Sequence, residues 1–124
     1  MTNEEKQLLF KDLCARIPYG TEISLVDGTS GMITSISIVP HGIFVTVYFN
    51  RDSVEDVSLE DIKPYLRPMS SMTEDEEKEF EETLQYTQYT LESYDWLNAH
   101  HFDYRGLIEK GLALEAPEDM YKTE

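Results

Sequence analysis

Ile43-Phe44-Val45-Thr46-Val47-Tyr48-Phe49 is a run of β-branched and aromatic residues without glycine, proline or charge. Such a run reads as a strand. Ile43, Val45, Val47 and Phe49 fall on one face, and Phe44, Thr46 and Tyr48 on the other. Pro40-His41-Gly42 turns the chain before it and Asn50-Arg51-Asp52 turns it after. Working outward, Met32 to Ile38 is the other arm of a hairpin, with Met32, Thr34, Ile36 and Ile38 expected on one face and Ser35 and Ser37 opposite. Asp27-Gly28-Thr29-Ser30-Gly31 is a turn, and Glu22 to Val26 a strand with Ile23 and Leu25 on one side. Val54 to Val57 is a short strand and Leu59 to Ile62 one helical turn. Tyr65-Leu66 is a final edge strand flanked by prolines. Short strands at this spacing predict an antiparallel barrel of five strands, closed so that no edge is exposed.

A helix leads into these strands. Thr2-Asn3-Glu4-Glu5 is a capping box, and Leu9, Phe10, Leu13, Cys14 and Ile17 recur at helical spacing up to Pro18. Cys14, the one cysteine, is expected to be buried in that face. A second capping box, Thr73-Glu74-Asp75-Glu76, opens what the spacing of Phe80, Leu84, Thr87, Leu91 and Tyr94 predicts as one long helix from Thr73 to about Asn98. Asp103 is placed to cap a short helix over Tyr104 to Lys110, stopped by Gly111. Trp96, Phe102 and Tyr104 are expected to anchor the tail on the barrel or on the first helix.

The chain of 124 residues carries 25 acidic and 10 basic side chains, a net charge of −15. Residues 69–124 hold 15 of the acids and 4 of the bases. Such a surface repels nucleic acid and anionic lipid and favours basic protein partners. With no basic leader and no long apolar run, a cytoplasmic protein that neither enters a membrane nor binds nucleic acid is expected.

The segment from Tyr19 to Pro68 resembles the SH3-like small barrels, the Tudor, KOW and chromo-type group, in the order of its elements. Two further blocks, Asp61-Ile62-Lys63-Pro64-Tyr65-Leu66-Arg67-Pro68-Met69-Ser70-Ser71-Met72-Thr73 and the tail from Asp95 to Pro117, resemble a family of small acidic proteins from gut anaerobic bacteria, their phages and mobile elements. That resemblance implies a setting and assigns no catalytic residues.

The fold class expected is therefore α+β. An N-terminal helix and an SH3-like barrel fill residues 1–68, and an acidic helical segment, 69–124, packs on them. The function expected is a non-enzymatic protein-interaction or adaptor module. Phe44, Tyr48 and Tyr65 are candidates for an aromatic binding face on the barrel. Glu74, Glu77 and Glu81 are candidates for contact with a basic protein partner. A monomer is favoured over a homodimer, because Trp96 and Phe102 lie close enough in sequence to cover the long helix.

Two rival readings exist. The acidic helix could mimic the phosphates of DNA and block a DNA-binding protein. Alternatively, His100 and His101, with Asp95 and Asp103 nearby, could hold a metal for an enzyme. Adjacent histidines of an extended segment point apart, so no metal or other cofactor is expected. No glycine-rich phosphate loop and no nucleophile elbow occurs in the sequence.

Overall fold

A computed structural model describes residues 1–50 and 53–121. It is α+β, with helices α1 (Asn3–Arg16), α2 (Glu74–Glu81) and α3 (Leu91–Ala99). The strands are β1 (Glu22–Leu25), β2 (Ser30–Val39), β3 (Gly42–Asn50), β4 (Ser53–Ser58), β5 (Ile62–Pro68), β6 (Phe102–Asp103) and β7 (Leu114–Glu115). A 3₁₀ turn, Leu59–Asp61, separates β4 from β5 as expected.

The strands form one open seven-stranded sheet in the order β4-β3-β2-β1-β5-β6, with β7 also on β5. This corrects the closed five-stranded barrel. The reason lies in the tail. β6 and β7 pair in parallel with Arg67–Pro68 and Tyr65–Leu66, one on each side of β5, so residues of the C-terminal segment take up hydrogen-bonding positions of β5 beyond its pairing with β1. β5 is thus an interior strand and not the expected edge. At the far end, β4 pairs only with β3. Glu55 and Asp56 lie mid-strand there, a charge pattern that discourages edge-to-edge pairing.

The hairpin of β2 and β3 departs from the expected faces at one place. A bulge between Ile33 and Ser35 shifts the register. Before it, Ile33 is buried opposite Val47; after it, Ile36 packs on the core and Ile38 stands in solvent. A bulge adds one residue to one strand and so exchanges its two faces. On β3, Val45 and Val47 are buried as expected. Gly31 is required by packing. A Cβ there would lie 2.7 Å from Val47 Cγ1 and 2.8 Å from the Tyr48 carbonyl oxygen. Gly31→Ala should cost about 1–3 kcal/mol by overpacking, measurable as a shifted urea midpoint at unchanged slope.

One core joins the sheet to α1 and the tail. Leu9, Leu13, Ile23, Ile33, Val45, Val47, Leu66 and Leu107 meet in it. A second cluster of Phe80, Leu97 and Phe102 lies under Met69, Met72, Leu84, Trp96 and Tyr104. Trp96, Phe102 and Tyr104 thus pack mostly within residues 69–104, and meet β5 and α1 through Arg67 over Phe102 and Arg16 over Tyr104.

Both capping boxes form, at Thr2 and at Thr73. The face of α1 is rotated from the expected one: Leu9, Asp12, Leu13 and Arg16 are buried, whereas Cys14 is exposed. The long helix Thr73–Asn98 is a further correction. α2 ends at Glu81 and α3 begins at Leu91. Thr83 Oγ1 donates to the Phe80 carbonyl and lies 3.0 Å from Ser93 Oγ, and Thr90 with Ser93 builds a third capping box. Threonine and serine compete for backbone groups in this way, and here they break the helix and restart it. The short helix over 104–110 is also absent. Asp103 takes amide hydrogens from Leu107 and Ile108, but the chain between turns without becoming a helix.

Candidate functional site

The break between α2 and α3 positions the site. Gln85 and Gln88 exchange both backbone hydrogen bonds around Tyr86 and Thr87, whose φ angles are 53° and 67°. A two-residue turn with both central residues left-handed normally carries asparagine and glycine. An aromatic and a β-branched residue there are strained, each by about 1–2 kcal/mol. The turn presents Tyr86 to solvent at 90% exposure. Leu91, at the start of α3, is 84% exposed. Tyr89 and Tyr94, in contact with each other and lining one groove with Leu91, form an aromatic and apolar patch, and the exposed Tyr86 stands in the turn just before it. Tyr89 packs edge-on against both Phe80 and Tyr94, which ties the patch to the second core.

Beside the patch runs a groove of about 720 Å³, walled by Tyr89, Leu91, Tyr94, Met69 and Ala15, with Asn98, Tyr104 and Arg105 completing its lining. Its polar part is held rigidly. Tyr104 Oη donates to Asn98 Oδ1 at 3.0 Å, and Arg105 Nη2 donates to Tyr104 Oη at 3.3 Å. Two guanidinium groups lie over the Tyr104 ring, Arg16 at 5.4 Å and Arg105 at 5.0 Å from its centroid. Arg16 is fully buried and donates to both carboxylate oxygens of Asp12, at 2.7 and 3.0 Å, and to the Phe102 carbonyl at 2.7 Å. Arg105 Nε lies 3.2 Å from the same Asp12 carboxylate. Its N–H is not directed at that carboxylate, and this buried nitrogen has no hydrogen-bond partner among the described residues.

The carboxylates named in advance stand where a partner can reach them. Glu74, Glu77 and Glu81 are exposed and, at spacings of three and four, share one side of α2. The aromatic trio does not assemble. Phe44 and Tyr48 are half-buried on one face of β3, Phe44 edge-on to His41, while Tyr65 lies on β5 with β2 and β1 between. Phe44, Tyr48 and Tyr65 thus do not form one aromatic face on the sheet. Asp12, Arg16 and Arg105 escaped the sequence reading altogether. The signal available was the helical spacing of Asp12 and Arg16 beside Leu9 and Leu13.

The two histidines part company. His100 stacks on Trp96 at 4.1 Å and lies 3.9 Å from Glu76, in a cleft of about 760 Å³ between α2 and residues 115–121. Arg67 grips Glu76 with two hydrogen bonds of 2.7 and 2.8 Å, which holds that carboxyl down at about 2. His101 is buried, with φ at 64°, stacked at 3.7 Å on Tyr121 and 3.3 Å from Thr21 Oγ1. Burial, then the nearby charge of Arg16, lowers its pKa to about 4. Tyr121 accepts from the Glu22 amide and donates to the Tyr65 carbonyl, and burial pushes its hydroxyl well above the usual range. Among the described residues, no three of His, Cys, Asp and Glu gather as a metal-holding group.

These shifts set a pH dependence. Both groups bind protons less readily folded than unfolded, so each contributes stability that is present at high pH and lost on acidification. For His101 the loss runs from about pH 6.5 down to 4, and for Glu76 from about 4.5 down to 2. Urea midpoints measured from pH 7 to 4 should therefore fall, and His101→Phe should flatten the fall between 6.5 and 4.

No helix among the described residues is long and apolar enough to cross a membrane. No family model matches the chain, and neither curated proteins nor solved structures give a match.

Proposed function

We propose that this protein is a non-enzymatic interaction module whose Tyr86–Leu91 patch docks a basic segment of a protein partner. The observation that carries this reading is the strained turn that holds Tyr86 out in solvent, followed directly in sequence by the exposed Tyr89, Leu91 and Tyr94. Unfavourable backbone that persists next to unpaired apolar side chains is a mark of binding surfaces.

Charge selects the partner. Residues 74–95 carry nine acidic side chains and a single basic one, Lys78. Arginine and lysine side chains can lie over the exposed tyrosine rings while their charges meet the carboxylates of α2. A second copy of this chain fits poorly, since two-fold pairing would set the same acidic patches against each other. A phosphate-like array on α2 would extend only about 12 Å, the length of eight helical residues, which favours a peptide over DNA mimicry. The likeness of residues 61–73 and 95–117 to proteins of phages and mobile elements sets the module in that context.

The test uses the peptide Arg-Arg-Gly-Arg-Arg-Leu-Phe and calorimetric titration. Tyr86→Ala with Leu91→Ala leaves the charge unchanged and should weaken binding about tenfold or more. Unchanged affinity would mean that attraction to the acidic protein is diffuse and that the patch is not the site. A second variant, Tyr86→Asn with Thr87→Gly, puts favourable residues in the turn. It should raise stability by about 1 kcal/mol and yet lose affinity, because it removes the exposed Tyr86 ring while relieving the strain of the turn.

A further inference from the structure

The geometry points to the groove beside the patch as a receptor for the C-terminal carboxylate of the partner chain, with the partner's last, apolar or aromatic side chain seated between the tyrosines. This rests on the reading of the patch as a partner surface, and it specifies which end of the partner enters.

The first argument is charge. Arg16 and Arg105 both pair with Asp12, and among the described residues neither has another carboxylate. Two guanidinium groups on one carboxylate leave a surplus positive charge next to the Tyr104 and Arg105 side of the groove, in a molecule whose net charge is −15. Arg105 is 29% exposed and brings that surplus to the lining. Arg16 Nη1, fully buried, has no acceptor among the described residues.

The second argument is hydrogen bonding. Asn98 is buried, and its carbonyl oxygen is taken by Tyr104. The buried donor of the lining that has no partner among the described residues is Arg105 Nε. A buried donor left unpaired is costly, and a carboxylate has four lone-pair sites with which to meet several.

The third argument is shape. Tyr89, Tyr94 and Leu91 make apolar walls, and about 720 Å³ holds one or two residues. The chain leading up to that terminus would then cross the acidic residues of 74–95, which is where basic side chains are wanted. A basic run ending in a large apolar residue with a free carboxylate matches all three features.

The experiment compares Arg-Arg-Gly-Arg-Arg-Leu-Phe with a free carboxylate against the same peptide as its C-terminal amide, by calorimetry on the wild-type protein. Amidation makes the peptide more basic, so diffuse attraction would strengthen. Capture of the carboxylate predicts the opposite, a loss of about tenfold or more on amidation. Arg105→Gln makes the protein more acidic, and it should abolish the difference between the two peptides while Arg16 keeps Asp12 paired. An amide that binds as tightly as the acid overturns the carboxylate receptor and leaves the basic-partner reading standing. Failure of both peptides to bind overturns both.

Discussion

Replacing Asp12 with alanine should cost about 3–5 kcal/mol of stability, among the largest effects of any single substitution in this chain. Asp12 and Arg16 are both fully buried, and Arg16 loses its only carboxylate among the described residues when Asp12 is removed. An ion pair of this kind contributes little net stability while intact, since taking both charges out of water offsets their attraction. Breaking it leaves a guanidinium stranded in a low-dielectric interior, which is far worse. The double replacement Asp12→Leu with Arg16→Met should therefore recover about 2 kcal/mol of the loss, although the Phe102 carbonyl then lacks its donor. Urea unfolding of the three proteins checks this. A single Asp12→Ala variant as stable as wild type would mean that Arg16 reaches water.

Phe102→Ala should cost a similar amount, about 3–5 kcal/mol. Phe102 is fully buried, lies parallel to Trp96 at 5.7 Å, and has the Arg67 guanidinium 4.1 Å above its ring. Its backbone pairs with Arg67 in the sheet and its carbonyl accepts from Arg16. The side chain therefore sits where β5, α1 and the tail converge. A cavity there should loosen β6 first, and with it the groove, because Tyr104 and Arg105 follow immediately in sequence. The variant is expected to lose peptide binding at urea concentrations where the rest of the sheet remains intact. Tryptophan fluorescence of Trp96 reports the local event.

Particular residues show why some of this could be read from sequence and some could not. The run 43–49 announces itself because its side chains alternate over a long, unbroken strand. The five strands and the 3₁₀ turn followed from that run and from the glycines and prolines around it. β6 and β7 are two residues each. Two residues carry no periodicity, so the way they pair with β5, and hence the open sheet, is a tertiary fact. The bulge in β2 is invisible for the same reason, since one inserted residue leaves the composition unchanged.

The site divides along similar lines. Glu74, Glu77 and Glu81 were legible because helical spacing puts them together wherever α2 lies. Leu91 and Tyr94 were misassigned to a buried stripe, since Phe80, Leu84, Thr87, Leu91 and Tyr94 do fit one helix. What breaks that helix is a set of hydrogen bonds from Thr83, Thr90 and Ser93 that lie outside any hydrophobic pattern. Once it is broken, Leu91 and Tyr94 turn outward while Leu97 stays buried, and part of a supposed core stripe becomes a surface. Phe44, Tyr48 and Tyr65 fared otherwise because a common face required a closed barrel.

The most direct test of the central claim, that the patch between α2 and α3 with its groove is the partner surface, is amide hydrogen exchange of the whole protein with and without Arg-Arg-Gly-Arg-Arg-Leu-Phe. The account predicts added protection confined to residues 83–98 and 104–105, with the amides around Tyr86 slowed most. Protection falling instead on β3 around Phe44 and Tyr48, or spread evenly over every acidic segment, would contradict it.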